Sequence, residues 1–174
     1  FTNGAIEKID DELFKMIDFG NVEVGFLNKV VMLMLKKLDS DQIKQIIIDN
    51  LYPNVKEYFL KTELKRISKN QLQNIDLNNM INLLNKIILC RCEDLSSIQV
   101  KTIPIKKLKI EAQIKLLKLK SKDLLDDQIQ FFDVTNTEIS DILLTDFFFK
   151  MVQEQINSVD ISKTSLKNQV KILN

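Results

Sequence analysis

The side chains able to do chemistry in this sequence are few and poorly matched. Histidine is absent, and cysteine occurs only at Cys90 and Cys92. Without an imidazole, a Ser–His–Asp triad, a Cys–His pair and a zincin-type metal site are excluded within the sequence. A Cys-x-Cys pair needs further thiolates or imidazoles to close a tetrahedral site. On a helix the two thiols point about 200° apart, so they read as incidental or packed thiols rather than a bridge. Neither G-x-x-x-x-G-K-[ST] nor G-x-G-x-x-G occurs, which removes the known phosphate-cradling loops. The aspartates from Asp39 to Asp49 fail as a calcium loop, because Ile43 takes a ligand position and the central glycine is missing. Asp126 and Asp127 are adjacent and diverge on a helix. No catalytic residue, metal, cofactor or small-molecule substrate is expected.

Two groups of polar residues stay as candidates. Lys106, Lys107, Lys109, Lys115 and Lys118 lie in the basic stretch from Ile105 to Lys122 and are candidates for a membrane- or partner-facing surface. Aromatic residues do not interleave with them, which argues against a nucleic-acid partner. Asn78, Asn82 and Asn85 sit close to an apolar stripe, as do Asn28 and Gln45. They are candidates for a polar core that fixes register, or that eases local opening.

These residues need a frame. The chain has 174 residues, 45% hydrophobic and 28% charged, with a net charge of +1. That suffices for one full core and gives no overall field toward nucleic acid. Acidic residues gather near the start and lysines from Ile105 to Lys122. The longest apolar run, Val30 to Leu35, is far short of the roughly 20 residues needed to span a bilayer. Three glycines and two prolines suggest long elements with few tight turns. Alanine occurs only at Ala5 and Ala112, so packing of Ile, Leu and Phe must hold the helices rather than intrinsic propensity.

The organising stretch is residues 76–98. Leu77, Met80, Ile81, Leu84, Ile87, Ile88 and Leu95 recur mostly at spacings of three and four, the signature of one helical stripe. Asp76 stands as its N-cap. Similar stripes occupy 5–19, 21–38 (with Gly25 as a point of close approach), 39–51 and 55–68. Asp39 and Gln42 match a capping box, and Pro53 marks a kink or break. Residues 98–103 look extended. Residues 108–116 alternate like a strand, but their composition favours a helix running to near Phe132. Thr135 and Glu138 suggest a second capping box. No fixed-period repeat shows, which disfavours a solenoid. The expected fold is all-α: a single four-helix-bundle-like domain over 1–174, with up-down helices and peripheral segments at 1–19 and 160–174.

The bias toward Ile, Lys and Asn, the start at Phe1, the long helices and the absence of N-x-[ST] despite abundant Asn resemble secreted Plasmodium proteins. In size and helix layout the chain is similar to the sporozoite proteins essential for cell traversal. That resemblance implies a four-helix bundle with polar core residues. It also implies a non-enzymatic microneme protein, secreted after loss of a leader upstream of Phe1, that acts at host-cell membranes; the apolar runs Val30–Leu35 and Phe147–Phe149 and the nearby lysines suggest that it does so by bundle opening and insertion of those runs. The alternative reading is a cytoplasmic helical adaptor that presents a groove to a partner protein.

Overall fold

A computed structural model describes residue 6, residues 8–77 and residues 80–173. Asn78 lies outside the described residues, as does the side chain of Asn82. The chain divides into two compact units, 1–75 and 76–174, which differs from the single domain over 1–174 read from the sequence. The first unit holds α1 (Asp11–Lys15), α2 (Val24–Met34), α3 (Ser40–Gln45), α4 (Pro53–Glu63) and α5 (Lys69–Gln73). The second holds α6 (Ile81–Arg91), α7 (Ser97–Thr102), α8 (Ile110–Lys120), α9 (Asp126–Ile129), α10 (Thr137–Asp146), α11 (Gln153–Ser158) and α12 (Leu166–Leu173). Among the described residues every element is helical and no strand occurs. The all-α expectation holds.

The order of elements is not that of a four-helix bundle. No described helix exceeds 11 residues. Longer helices alternate with short ones of 4–6 residues, and the longer ones begin at Val24, Pro53, Ile81, Ile110, Thr137 and Leu166, every 27–29 residues. The chain is therefore a repeat of helix pairs, which the sequence reading disfavoured. Within each unit a pair cannot cover its own apolar face and buries it against the next, the logic of helical repeat proteins.

What ends the helices explains why they are short. After α2, α6, α8 and α10 the chain tightens into a 3₁₀ turn, then passes through two extended residues, the first of them Leu38, Leu95, Leu124 or Met151, with ψ between 130° and 143°. Each of these side chains is buried, so the bend is held by core packing and needs no glycine. Pro53 is the first residue of α4 rather than a kink inside a helix, the position where its missing N–H costs nothing. The central helix starts at Ile81, not at Asp76, and its N-cap is Met80. Residues 97–102 form α7 instead of the extended segment expected there. Gly25 makes no close approach to a neighbour; it donates its N–H to the capping carboxylate of Glu23, 3.1 Å away.

A ladder of amide side chains joins the pairs. Gln42, Gln71, Gln99, Gln128 and Gln155 occupy the third helical position of successive short helices. In each, Oε1 accepts the N–H of the residue before the helix: Asp39 at 3.1 Å, Ser68 at 2.8 Å, Ser96 at 3.1 Å, Leu125 at 2.9 Å and Val152 at 3.4 Å. Asp39, Ser68 and Ser96 complete reciprocal capping boxes. The other end of the amide reaches one repeat back. Gln71 Nε2 donates to the carbonyls of Ile43 (2.9 Å) and Ile46 (2.8 Å). Gln128 Nε2 does the same to Val100 and Ile103, both at 3.1 Å, and Gln155 to Ile129 at 2.8 Å.

A second ladder serves the longer helices. Asn28 Oδ1 accepts the N–H of Tyr52 (2.7 Å), Asn85 Oδ1 that of Lys109 (2.7 Å) and Asp141 Oδ1 that of Ser165 (2.9 Å). Each acceptor thus fixes the entry of the following long helix. Around both ladders, Val31, Leu60, Ile88, Leu117 and Leu144 hold the eighth place of their helices and are at most 1% exposed. Leu173, the eighth residue of α12, is 76% exposed and lies on the same face as exposed Leu166 and Val170. Residues 166–173 are nevertheless tied in, through Asn168 Nδ2 donating to Asp141 O at 3.1 Å.

Replacing Gln128 with Ala strands the buried Ile103 carbonyl and the Leu125 amide, and leaves Val100 O with only the Ile103 N–H. Urea unfolding of Gln128→Ala is expected to show a loss of about 2–3 kcal/mol, against no more than about 0.5 kcal/mol for exposed Gln130→Ala. Equal effects of the two substitutions would contradict the ladder.

Candidate functional site

The glutamine ladder also builds a surface feature. Where one short helix and its exit segment lie beside the next short helix, a groove opens. In the first unit it measures about 650 Å³ and is lined by Lys44, Ile46, Ile47, Ile48 and Asp49 on one side, and Ser68, Asn70, Gln71 and Asn74 on the other. In the second unit the groove measures about 310 Å³ and is lined by Lys101, Ile103, Pro104, Ile105 and Lys106, facing Leu125, Asp127, Gln128 and Phe131. These are the same nine repeat positions in the same order. The two isoleucines and the glutamine are constant, because they are the buried frame, and Lys44 matches Lys101. The other five positions, all at the rim, differ.

The difference is chemical. In the first unit the rim is polar and its charges are internally matched: Lys44 pairs with Asp41 at 2.9 Å and Asp49 with Lys56 at 2.8 Å. In the second, Pro104, Leu125 and Phe131 make the lining apolar, and Phe131 is 47% exposed. Lys101, Lys106 and Lys107 stand around it, exposed and without an ion pair among the described residues. A further exposed apolar area exists in the first unit, where Met32, Leu33, Tyr52 and Tyr58 border two shallow grooves of about 330 and 260 Å³.

The five candidate lysines are thereby separated. Lys106 and Lys107 lie in the 3₁₀ turn Ile105–Lys107 and line the groove. Lys109 is the N-cap of α8, its N–H held by Asn85. Lys115 Nζ donates to Leu89 O at 2.7 Å, and Lys118 pairs with Glu138. Lys120 reaches Leu95 O at 2.7 Å and Lys171 reaches Leu144 O at 2.8 Å. A lysine in one repeat thus ties itself to a backbone carbonyl of the repeat before, in or just beyond a longer helix, where carbonyls lack intrahelical partners. The lysines of the basic stretch thus have two duties, tying repeats together and facing solvent.

Of the candidate polar core, Asn85 is half-buried and works as a ladder acceptor. Asn78 and the side chain of Asn82 are outside the described residues. The sequence reading placed Asn28 and Gln45 near the core: Asn28 is 3% exposed, whereas Gln45 is exposed, its Oε1 accepting the N–H of Phe19 at 3.0 Å. Of the five ladder glutamines it found only Gln42, as the capping-box partner of Asp39. Their signal was present as Gln followed by Ile, Leu or Val every 27–29 residues. The second capping box was assigned one residue early: Asn136, not Thr135, caps α10, accepting from Glu138 N at 3.1 Å and Ile139 N at 3.2 Å.

Among the described residues no three His, Cys, Asp or Glu side chains gather as a metal-binding group, and no described helix is long and apolar enough to cross a membrane. Cys90 is exposed, whereas Cys92 is buried with its thiol facing Lys115 O. Burial pushes the Cys92 thiol from an ordinary 9.0 up to about 11, against the smaller pull of Lys120 and Lys115. The fold and groove together define an all-helical repeat protein with a constant frame and a variable rim. No known protein family, curated protein or solved structure matches the chain.

A thiolate-specific disulfide reagent near pH 8 should modify one thiol per native chain, Cys90, and two after denaturation. Two reactive thiols in the native protein would contradict the packing around Cys92.

Proposed function

We propose that this chain is a non-enzymatic binding module that presents the groove between successive short helices to a partner protein. The observation that carries the reading is the recurrence of one groove in both units with its floor unchanged and its rim rewritten. Repeat proteins recognise partners through such faces, since rim residues can change without disturbing the repeat-to-repeat contacts. The exposed Phe131 beside Pro104 and Leu125 supports it, because aromatic side chains at the centre of a concave apolar site are typical binding anchors. A non-enzymatic role is supported by the sequence, which has no histidine, and by the described residues, where the one buried thiol is held neutral.

Bundle opening at a host-cell membrane followed from a four-helix layout, and the repeat architecture lends that route no support. Of the apolar runs that insertion would use, Val30 and Val31 are fully buried between repeats and Phe147 is 8% exposed, which leaves Phe149, 95% exposed, at the surface.

The two routes separate experimentally. The purified chain is expected to stay in the supernatant with phosphatidylserine–phosphatidylcholine vesicles. Hydrogen exchange in the presence of a bound protein partner should slow around residues 101–107 and 125–131 more than around 166–173. Co-sedimentation with loss of near-ultraviolet aromatic signal would instead favour the membrane route.

A further inference from the structure

The groove of the second unit carries a charge that its counterpart in the first unit lacks. Lys101, Lys106 and Lys107 line it with Asp127 as the one acidic residue, so three cations face one anion. None of the three ammonium groups has an ion pair or hydrogen bond among the described residues. By contrast, the lysines at 115, 118 and 120 are all committed to carbonyls or carboxylates. The corresponding first-unit groove has Lys44 and Asp49, each neutralised by its own neighbour. Free cations around a pocket of about 310 Å³ with an exposed aromatic edge are a complementary surface in waiting: apolar in the middle, positive at the rim.

We infer that the second-unit groove takes an acidic peptide segment of a partner protein, one bulky apolar side chain packing against Pro104, Leu125 and Phe131 while flanking carboxylates meet Lys101, Lys106 and Lys107. The inference rests on the binding-module reading and names the chemistry of its partner. An apolar anchor supplies most of the affinity, and the rim lysines supply selectivity and salt-sensitive association. The lining matches this division: it offers the apolar centre a single large side chain needs, with Lys101 in the last turn of α7 and Lys106 and Lys107 on the exit segment that follows, where an extended chain can pass them in succession. Asp127 sets a further rule: a partner carboxylate beside it is disfavoured, which orients the acidic flank toward the 101–107 side.

The test uses the full chain and two probes, a fluorescein-labelled peptide with one Phe between runs of Glu and its counterpart with runs of Lys, alongside selection from a phage-displayed library of random peptides. The Glu-flanked probe should bind and the Lys-flanked one should not. K106E/K107E, which touches only exposed unpaired side chains, should weaken the Glu-flanked probe about tenfold and flatten its salt dependence. Phe131→Ser should weaken it by a similar factor with salt dependence kept. K44E in the first unit should leave it unchanged. Library selection should enrich Asp and Glu around an aromatic or leucine residue.

Neutral or basic peptides that are enriched and lost with Phe131→Ser would overturn the acidic-partner inference while leaving the binding-module reading in place. A library that yields no peptide sensitive to any groove substitution would overturn both. Binding to phosphatidylserine vesicles that K106E/K107E abolishes, with neither peptide bound, would overturn the inference in favour of a lipid surface.

Discussion

A single buried amide, repeated, sets the geometry of this protein. The glutamine at the third position of each short helix accepts from the backbone at that helix's own entry. Where Nε2 is seen reaching back, it donates to carbonyls at the exit of the preceding short helix. A short helix of four to six residues leaves nearly all its backbone groups without intrahelical partners. Such a helix is unstable alone, and isolated helices need about 12–15 residues even to be marginal in water. The amide resolves this by satisfying entry and exit together, one in each repeat. Only Gln offers both an acceptor and a two-proton donor on a stem long enough to span that distance. Its burial next to isoleucine raises the penalty for any missed bond and so pins the register of one repeat on the next.

From that constraint the rest follows in order. Because the exit carbonyls are bonded through the glutamine, the chain leaves each short helix along one path. That path makes one wall of the groove, and the next short helix makes the other. Ile46 and Ile103 are buried under this path, as are Ile48 and Ile105, so the floor is apolar and fixed. The side chains at the rim, at 49 and 106, 68 and 125, 74 and 131, supply none of the amide bonds from one repeat to the one before. They are free to differ, and they do. Stability and recognition are thereby assigned to different residues of the same few positions.

Much of the helical content was legible from the sequence, and much of its arrangement was not. The stripe through Leu84, Ile87 and Ile88 gave a helix correctly, and the Asp39–Gln42 spacing gave a true capping box. The helix breaks were hidden because the residues that make them are Leu38, Leu95, Leu124 and Met151. Each is extended in backbone yet buried in side chain, so each continues the apolar stripe while ending the helix. Turns usually announce themselves through glycine, proline or asparagine; here tertiary packing does that work, and the scarcity of glycine misled toward long helices. The repeat escaped notice for a related reason. Its fixed positions are Ile, Leu and Val, which are common everywhere in this chain, and its period drifts between 27 and 29 residues. The basic stretch stood out in the sequence, but only burial and pairing could separate Lys106 and Lys107 at the groove from Lys115 and Lys118, which are committed elsewhere.

The most direct measurement of the central claim is the exchange of side-chain amide protons by nuclear magnetic resonance in deuterated water. If the ladder holds the repeats together, the Nε2 protons of Gln128 and Gln155, buried and bonded to carbonyls one repeat back, should persist far longer than those of exposed Gln130 and Gln153. Exchange at the same rate for all four would mean that the amides are wet, and that the register of the repeats, with the groove built on it, is held by something else.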